Sequence, residues 1–248
     1  MSSLTSKVAL VTGGSRGIGA AIVQKLAAEG ASIAFTYVNS AEKANAIVKE
    51  LEKAGTKALA IQADSSLQKD VAAAVAQTAQ HFGRLDILVN NAAVFVIGPI
   101  EDADKNTAQY DRQIDINIRS IATAIREAAK YISDNGRIIT ISSAVANYVG
   151  TAHLTDYAAT KAAASSYSRG YAHDLGKRGI TVNAVQPGPV DTDMNPDSGA
   201  FADAMRSKTA LGRYGKAEEI AALVGFLAGP DAAYITGASI TIDGGLSA

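Results

Sequence analysis

Tyr157 and Lys161, in the segment YAATK, stand four residues apart. On a helix that spacing puts both side chains on one face. A free phenol, with a pKa of about 10, is a sluggish acid or base at neutral pH, but a neighbouring ammonium stabilises the phenolate and lets the pair pass a proton. The same spacing also fits a tyrosine packed on a lysine stem. Position separates the two readings. The pair follows the run RIITISS, whose Ser142 and Ser143 end an expected strand at the sheet edge where open α/β folds bind ligands.

A second group of residues points to a phosphate-bearing ligand. The first apolar run, KVALVT, leads into TGGSRGIG, which sets Gly13, Gly17 and Gly19, with Ser15 and Ile18 between them, at the mouth of an expected helix. Glycines there let the backbone turn tightly and approach a pyrophosphate, whose charge meets N–H groups at the helix N-terminus. A glycine-rich turn without a ligand is the bland alternative. About 20 residues further on, NAD sites place an acid on the ribose 2′-hydroxyl. Here the second strand ends in Tyr37, Val38, Asn39 and Ser40, with no acid before Glu42. Arg16 occupies the helix N-terminus, where a cation is unfavourable unless an anion accompanies it. The pattern points to NADP(H), whose 2′-phosphate an arginine accepts and an acid repels; the competing reading is a solvated surface arginine.

These residues need a scaffold that holds loops at one sheet edge. Val- and Ile-rich runs at 7–12, 32–37, 57–62, 85–90, 137–142, 180–186 and 238–243 alternate with helical patterns such as 20–30 and 41–55, the latter closed by a glycine. Most runs are apolar on both faces, as strands covered by helices on each side require. The expected fold is a single α/β domain over 1–248, a Rossmann-type doubly wound parallel sheet of about seven strands with helices on both faces. The segment 187–201, rich in Pro, Gly and Asp, reads as a loop long enough to serve as a lid.

Composition narrows the partners. Lys plus Arg number 23 against 24 Asp plus Glu, a formal charge of −1 with no basic run, which argues against nucleic acid. Without cysteine, and with His81, His153 and His173 outside ligand spacing, no metal site is expected. No apolar run reaches the roughly 18 residues that span a bilayer, and the N-terminal residues lack the pattern of a secretion signal, so a cytoplasmic protein is expected.

The motifs together resemble the short-chain dehydrogenase/reductase family, in its compact branch of 3-oxoacyl-[acyl-carrier-protein] reductases and bacterial ketoreductases. The likeness runs through TGGSRGIG, NNAA at 90–93, Asn117 in DINIRS, Ser143, YAATK, QPGPVDT at 186–192 and ITGASITIDGG. It implies that Tyr157 exchanges a proton with the substrate oxygen while hydride moves between nicotinamide and carbon. Ser143 would bond that oxygen, Asn117 would hold a water joining Lys161 to solvent, and Lys161 would also bind the nicotinamide ribose. Asp64 and Ser65 would flank the adenine, Asn91 and Ala92 the adjoining ribose, and Pro187, Gly188, Val190 and Thr192 the nicotinamide. Asp64 as a mere cap of the following helix, and Asn117 as a partner of helix backbone, remain open. Two departures stand out: Ala93 replaces the usual glycine of NNAG, and the Ser143 to Tyr157 interval is slightly long, enlarging the loop 144–156. Pocket walls are expected from Val94, Phe95, Val96, Tyr148, Val149, His153, Leu154 and Met194, a mostly apolar set suited to a small ketone, aldehyde or quinone-like substrate. Alternatives are a 3-oxoacyl-[acyl-carrier-protein] reductase, disfavoured by the few basic residues in AAKYISDNGR (128–137), and a non-catalytic member that binds a nucleotide or small ligand. The resemblance also implies a homotetramer built through the fourth and fifth helices and the C-terminal strand.

Overall fold

The computed structural model describes residues 4–248. The chain runs β1 (Val8–Val11), α1 (Gly17–Ala28), β2 (Ser32–Tyr37), α2 (Ala41–Lys53), β3 (Ala58–Gln62), α3 (Gln68–Phe82), β4 (Leu85–Asn90), α4 (Thr107–Ile114), α5 (Ser120–Ala128), β5 (Ile132–Ile141), α6 (Thr155–Leu175), β6 (Thr181–Pro187), α7 (Gly199–Lys208), α8 (Ala217–Ala228) and β7 (Ser239–Ile242). The strands form one sheet in the order β3-β2-β1-β4-β5-β6-β7, every neighbouring pair parallel. Strand order reverses direction between β1 and β4, and there the loops leaving the two strands diverge to opposite faces and open a crevice.

Alternation along each strand divides the core in two. Ala9, Val11, Ile33, Phe35, Ile87 and Val89 pack with Ile22, Val23 and Leu26 of α1 and Ile220, Val224 and Leu227 of α8. Leu10, Ala34, Leu88 and Ile138 face the other way, against Val71 and Val75 of α3, Ile121 and Ile125 of α5 and Ala164 of α6. Both faces are therefore dry, which accounts for the runs of wholly buried residues in β1, β4 and β6.

Several expectations need adjustment. β5 begins at Ile132, not Arg137, because Ile132 pairs with Leu85 before a register shift carries the ladder to Arg137 opposite Ile87; the intervening polar SDNG hides this extension. The helix expected over 20–30 starts at Gly17 and stops at Ala28, where Gly30 turns left-handed at φ +96°. The loop expected over 187–201 gives way to α7 at Gly199. Between α4 and α5 the chain makes a π turn at Asp115–Arg119. Among the described residues no helix is long and apolar enough to cross a membrane.

At the sheet edge away from the crevice, the buried Asp86 carboxylate accepts from Arg84 at 2.7 and 2.6 Å, from Lys7 at 3.3 Å and from the Val8 N–H at 3.0 Å. Burial works against the charge, but these donors hold the carboxyl below its usual range. Asp86→Ala leaves the Val8 N–H and a half-exposed guanidinium unpaired and lowers unfolding stability by about 2 kcal/mol in urea titration. With a depressed folded pKa, the native contribution is present at neutral pH and fades as pH falls through the folded value, a trend the variant loses.

Candidate active site

The loops at the C-terminal ends of β1, β4, β5 and β6 enclose a cavity of about 570 Å³. At one end lies the turn after β1. Gly13 and Gly17 have φ of +67° and +52°, conformations that favour glycine. A Cβ on Gly19 would lie 2.2 Å from the Gly13 carbonyl oxygen and 2.5 Å from Asn91 Nδ2. The backbone must therefore pass there without a side chain, leaving a cradle at the N-terminus of α1, whose first turn holds no acidic residue. The crevice is pinned at this point: Thr12 Oγ1 accepts from the N–H groups of Asn91 (2.9 Å) and Ala92 (3.0 Å), while Asn91 Nδ2 donates to the carbonyls of Thr12 (2.9 Å) and Gly13 (3.1 Å). This is the local reason for asparagine in NNAA.

Gly13, Ser15, Arg16, Gly17, Ile18, Gly19, Tyr37, Asn39, Ser40, Asp64, Ser65, Asn91, Ala92, Ala93, Pro187, Gly188, Val190 and Thr192 all line this cavity, together with Ser143, Tyr157 and Lys161. The residues that end β2 and open the next turn, Tyr37 to Ser40, include no acid, and Arg16 is exposed at the lip. Asp64 also stabilises its own turn. Its carboxylate accepts from Ser66 N (2.9 Å) and Oγ (2.8 Å) and pairs with Arg112 Nη2 at 3.1 Å to both oxygens. Partial burial opposes its charge, yet the Ser66 and Arg112 bonds hold it below the usual carboxylate range. Arg112, on α4, also lines the cavity; no motif around it in the sequence announces this.

At the other end Ser143, Tyr157 and Lys161 converge. Tyr157 rises from the first turn of α6 with its phenol beside Ser143, whose Oγ accepts from Val145 N at 3.3 Å and donates to the Pro187 carbonyl at 3.5 Å. The Lys161 ammonium, 4% exposed, stands 5.6 Å from the centre of the Tyr157 ring and donates to the Ile141 carbonyl at 3.0 Å. The sequence leads one to expect an ammonium that depresses the phenol. In the protein alone, burial dominates and pushes Tyr157 well above the usual tyrosine value despite Ser143, because Lys161 faces the ring and a carbonyl instead of the phenolic oxygen. Burial also lowers Lys161 to about 8. A neutral phenol is the form that can act as an acid.

Asn117 is buried behind the wall and does not line the cavity. Its Oδ1 accepts from Val94 N and its Nδ2 donates to the Val94 carbonyl, each at 3.0 Å, and to Thr160 Oγ1 at 3.1 Å. Of the expected substrate walls, Val94, Phe95, Leu154 and Met194 line the cavity; Val96, Tyr148, Val149 and His153 do not. A short 3₁₀ turn at Ala144–Ala146 and the 2.9 Å bond from Asn147 Nδ2 to Gln186 Oε1 draw that loop inward, and Tyr148 and Val149 beyond it are half exposed. Their places are taken by Ala144, Val145, Ile116 and Leu246, and by Phe201 and Met205, one turn apart on α7. That four-residue spacing was the available signal for the last two.

The cradle, the cationic lip and the apolar far end fit a dinucleotide bearing an extra phosphate. Comparison with known proteins agrees with the fold and with such a cofactor. The profile of the family described as enoyl-(acyl carrier protein) reductase matches residues 13–247. A short-chain dehydrogenase/reductase from Serratia marcescens BCRC 10948 is 54% identical over 99% of this chain and 100% of its own, with a TM-score of 0.97. A short-chain dehydrogenase from Burkholderia cenocepacia J2315, solved in complex with NADP, is 50% identical with the same coverage of both chains and the same TM-score. The cyclic-di-GMP-binding biofilm dispersal mediator protein of Escherichia coli K12 is 43% identical over the full length of both chains.

Lys161 makes the site's electrostatics measurable. Its folded pKa of about 8 lies below the ordinary 10.5, so between these values the unfolded chain holds more protons and stability rises with pH. The melting temperature of the cofactor-free protein is expected to climb between about pH 8 and pH 10, and Lys161→Met to abolish that climb in thermal scans across pH.

Proposed function

This chain belongs to the short-chain dehydrogenase/reductase family of oxidoreductases, and from that premise we propose that it reduces a small, apolar ketone or aldehyde to the alcohol with NADPH. The observation that carries the proposal is the Tyr157 phenol, held neutral against Ser143 at the apolar end of a cavity whose other end is a glycine cradle.

In this reading the N-terminus of α1 and the bare backbone at Gly13, Gly17 and Gly19 hold the pyrophosphate. Arg16, Asn39 and Ser40 hold the 2′-phosphate, Lys161 the nicotinamide ribose, and Pro187, Gly188, Val190 and Thr192 the nicotinamide. Bound NADPH supplies a hydride to the carbonyl carbon. Ser143 Oγ orients the carbonyl oxygen beside Tyr157, whose hydroxyl gives up its proton as negative charge gathers on that oxygen. Lys161 Nζ, close to the ring face, stabilises the phenolate left behind until a proton returns from solvent, while Asn117, its amide committed to Val94 and Thr160, carries no proton itself. Phe95, Val145, Leu154, Met194, Phe201 and Met205 exclude water and offer no charged group, which favours an uncharged substrate.

The carrier-protein alternative is not supported by the segment 128–137. It runs from the end of α5 into the first half of β5, at the sheet edge opposite the cavity, where its charges do not bear on docking at the mouth. A second reading, ligand binding without turnover, is favoured by the cyclic-di-GMP-binding relative and by Arg16 and Arg112 in the lining.

Loss of nicotinamide absorbance with apolar ketones and aldehydes, using NADPH and then NADH, separates these readings. The expected result is turnover that falls about 10²- to 10⁴-fold in Tyr157→Phe, with NADPH affinity unchanged. Arg16→Ala is expected to cut the preference for NADPH over NADH by about tenfold, one charge-assisted phosphate bond. Tight binding of NADPH or a cyclic dinucleotide with no turnover of any carbonyl compound would favour the second reading. We also propose a homotetramer, supported by the exposed aromatics Phe226 on α8 and Tyr234 before β7; light scattering is expected to return four chains of 25.5 kDa, and a monomer would refute it.

A further inference from the structure

A buried glutamine behind the substrate wall is not used by the mechanism above. Gln113, on α4, has no exposed surface. Its Oε1 accepts from Val96 N at 2.7 Å, whereas its Nε2 finds no partner among the described residues. An orphaned buried donor is costly, so an apolar side chain would suit this helix site better unless the carbonyl half of the amide served a purpose.

The segment that it touches supplies that purpose. Residues 91–99 follow β4 without regular structure, so their N–H groups have no ladder to join. Asn117 lies four residues beyond Gln113 and grips Val94 at both its N–H and its carbonyl. Gln113 takes the Val96 N–H. Two amides one turn apart thus hold the backbone on either side of Phe95. The Phe95 ring projects into the cavity and meets Tyr157 edge to face, with centroids 4.7 Å apart and planes at 84°. Asn117 has a second attachment, Thr160 Oγ1, which itself donates to the Tyr157 carbonyl at 2.7 Å. One helical face therefore ties the aromatic wall and the proton donor into a single frame.

We propose that Gln113 is a positioning residue which, through Val96, fixes the Phe95 ring beside Tyr157 and so sets the width of substituent that the substrate site accepts. The proposal rests on the reductase reading given above. It assigns Gln113 no contact with substrate or cofactor, so its removal changes discrimination among substrates and leaves cofactor binding untouched.

Gln113→Met keeps the side-chain volume and deletes the acceptor. Steady-state kinetics with a wide aryl ketone and a narrow aliphatic ketone are expected to show the ratio of their kcat/KM values shifting by about tenfold or more. The KM for NADPH is expected to stay within about twofold. In a Phe95→Ala background the same substitution is expected to leave the ratio unchanged, since the two act as a unit. An effect that falls equally on both ketones, raises the KM for NADPH, or adds independently to Phe95→Ala would overturn the proposal. Should Gln113→Met fail to fold, Gln113→Glu, which retains an acceptor oxygen, is expected to preserve the wild-type ratio, and a shifted ratio counts against the idea. If the wild-type protein reduces neither ketone, the reductase reading fails by itself. The crystal structure of Gln113→Met then decides the clamp: a Phe95 ring that leaves its edge-on contact supports it, and an unmoved ring refutes it.

Discussion

A chain of hydrogen bonds inside the core fixes the end of the cavity at which chemistry is proposed. Ser142 Oγ, at the tip of β5, donates to the Lys161 carbonyl at 2.7 Å; Ser165 Oγ donates to Ser142 at 3.0 Å; Gln186 Nε2 donates to Ser165 at 3.1 Å. Gln186 Oε1 then accepts from Asn147 at 2.9 Å and from Thr241 at 3.2 Å. Helix α6, strands β5, β6 and β7 and the loop after β5 are thereby joined through a chain whose inner members, Ser142, Ser165 and Gln186, are buried, with Asn147 and Thr241 exposed at its outer end. Buried polar groups are tolerable only when they find partners, and a chain in which each member is engaged confines its elements to one arrangement. The phenol and ammonium of α6 inherit that fixity. Their shifted acidities follow, because an ammonium so placed cannot turn outward to water.

The opposite end of the cavity depends on a different constraint. Parallel strands leave the sheet all at one edge, and the reversal between β1 and β4 parts their loops. Thr12 and Asn91 bridge the gap at its root, so the glycine turn is braced from behind while its open side faces the cavity. The absence of a Cβ at Gly19 answers this bracing as much as any ligand, since Gly13 and Asn91 already occupy the space.

The sequence spoke most clearly where burial and backbone geometry leave few choices. Interior strands such as LDILVN are apolar throughout because both faces are dry, and Gly55 at φ +84° ends α2 as a glycine there should. Motif residues around the cavity were legible because glycine, tyrosine and lysine at those intervals are hard to explain otherwise. What escaped notice depends on contacts distant in the chain. The start of β5 is set by Leu85, the turning away of Tyr148 by Gln186, and the place of Arg112 by Asp64 and Ser66. The π turn at Asp115–Arg119 leaves no mark in the periodicity, although it lies in the wall that positions Asn117. Phe201 and Met205 were hidden by the stretch of Pro, Gly and Asp before them, which reads as loop until Gly199.

The strand order has an evolutionary corollary. The residues read as choosing the nucleotide, Tyr37 to Ser40, lie at the end of β2 and just beyond it, whereas Ser143, Tyr157 and Lys161 follow β5, on the far side of the reversal. The walls around the substrate come from yet other segments, the stretch after β4 and α7. Such a layout is modular: drift in one segment can alter what is bound while the cluster of Ser143, Tyr157 and Lys161 stays intact. A lineage built on this plan can diversify its ligands by local change without first dismantling its chemistry.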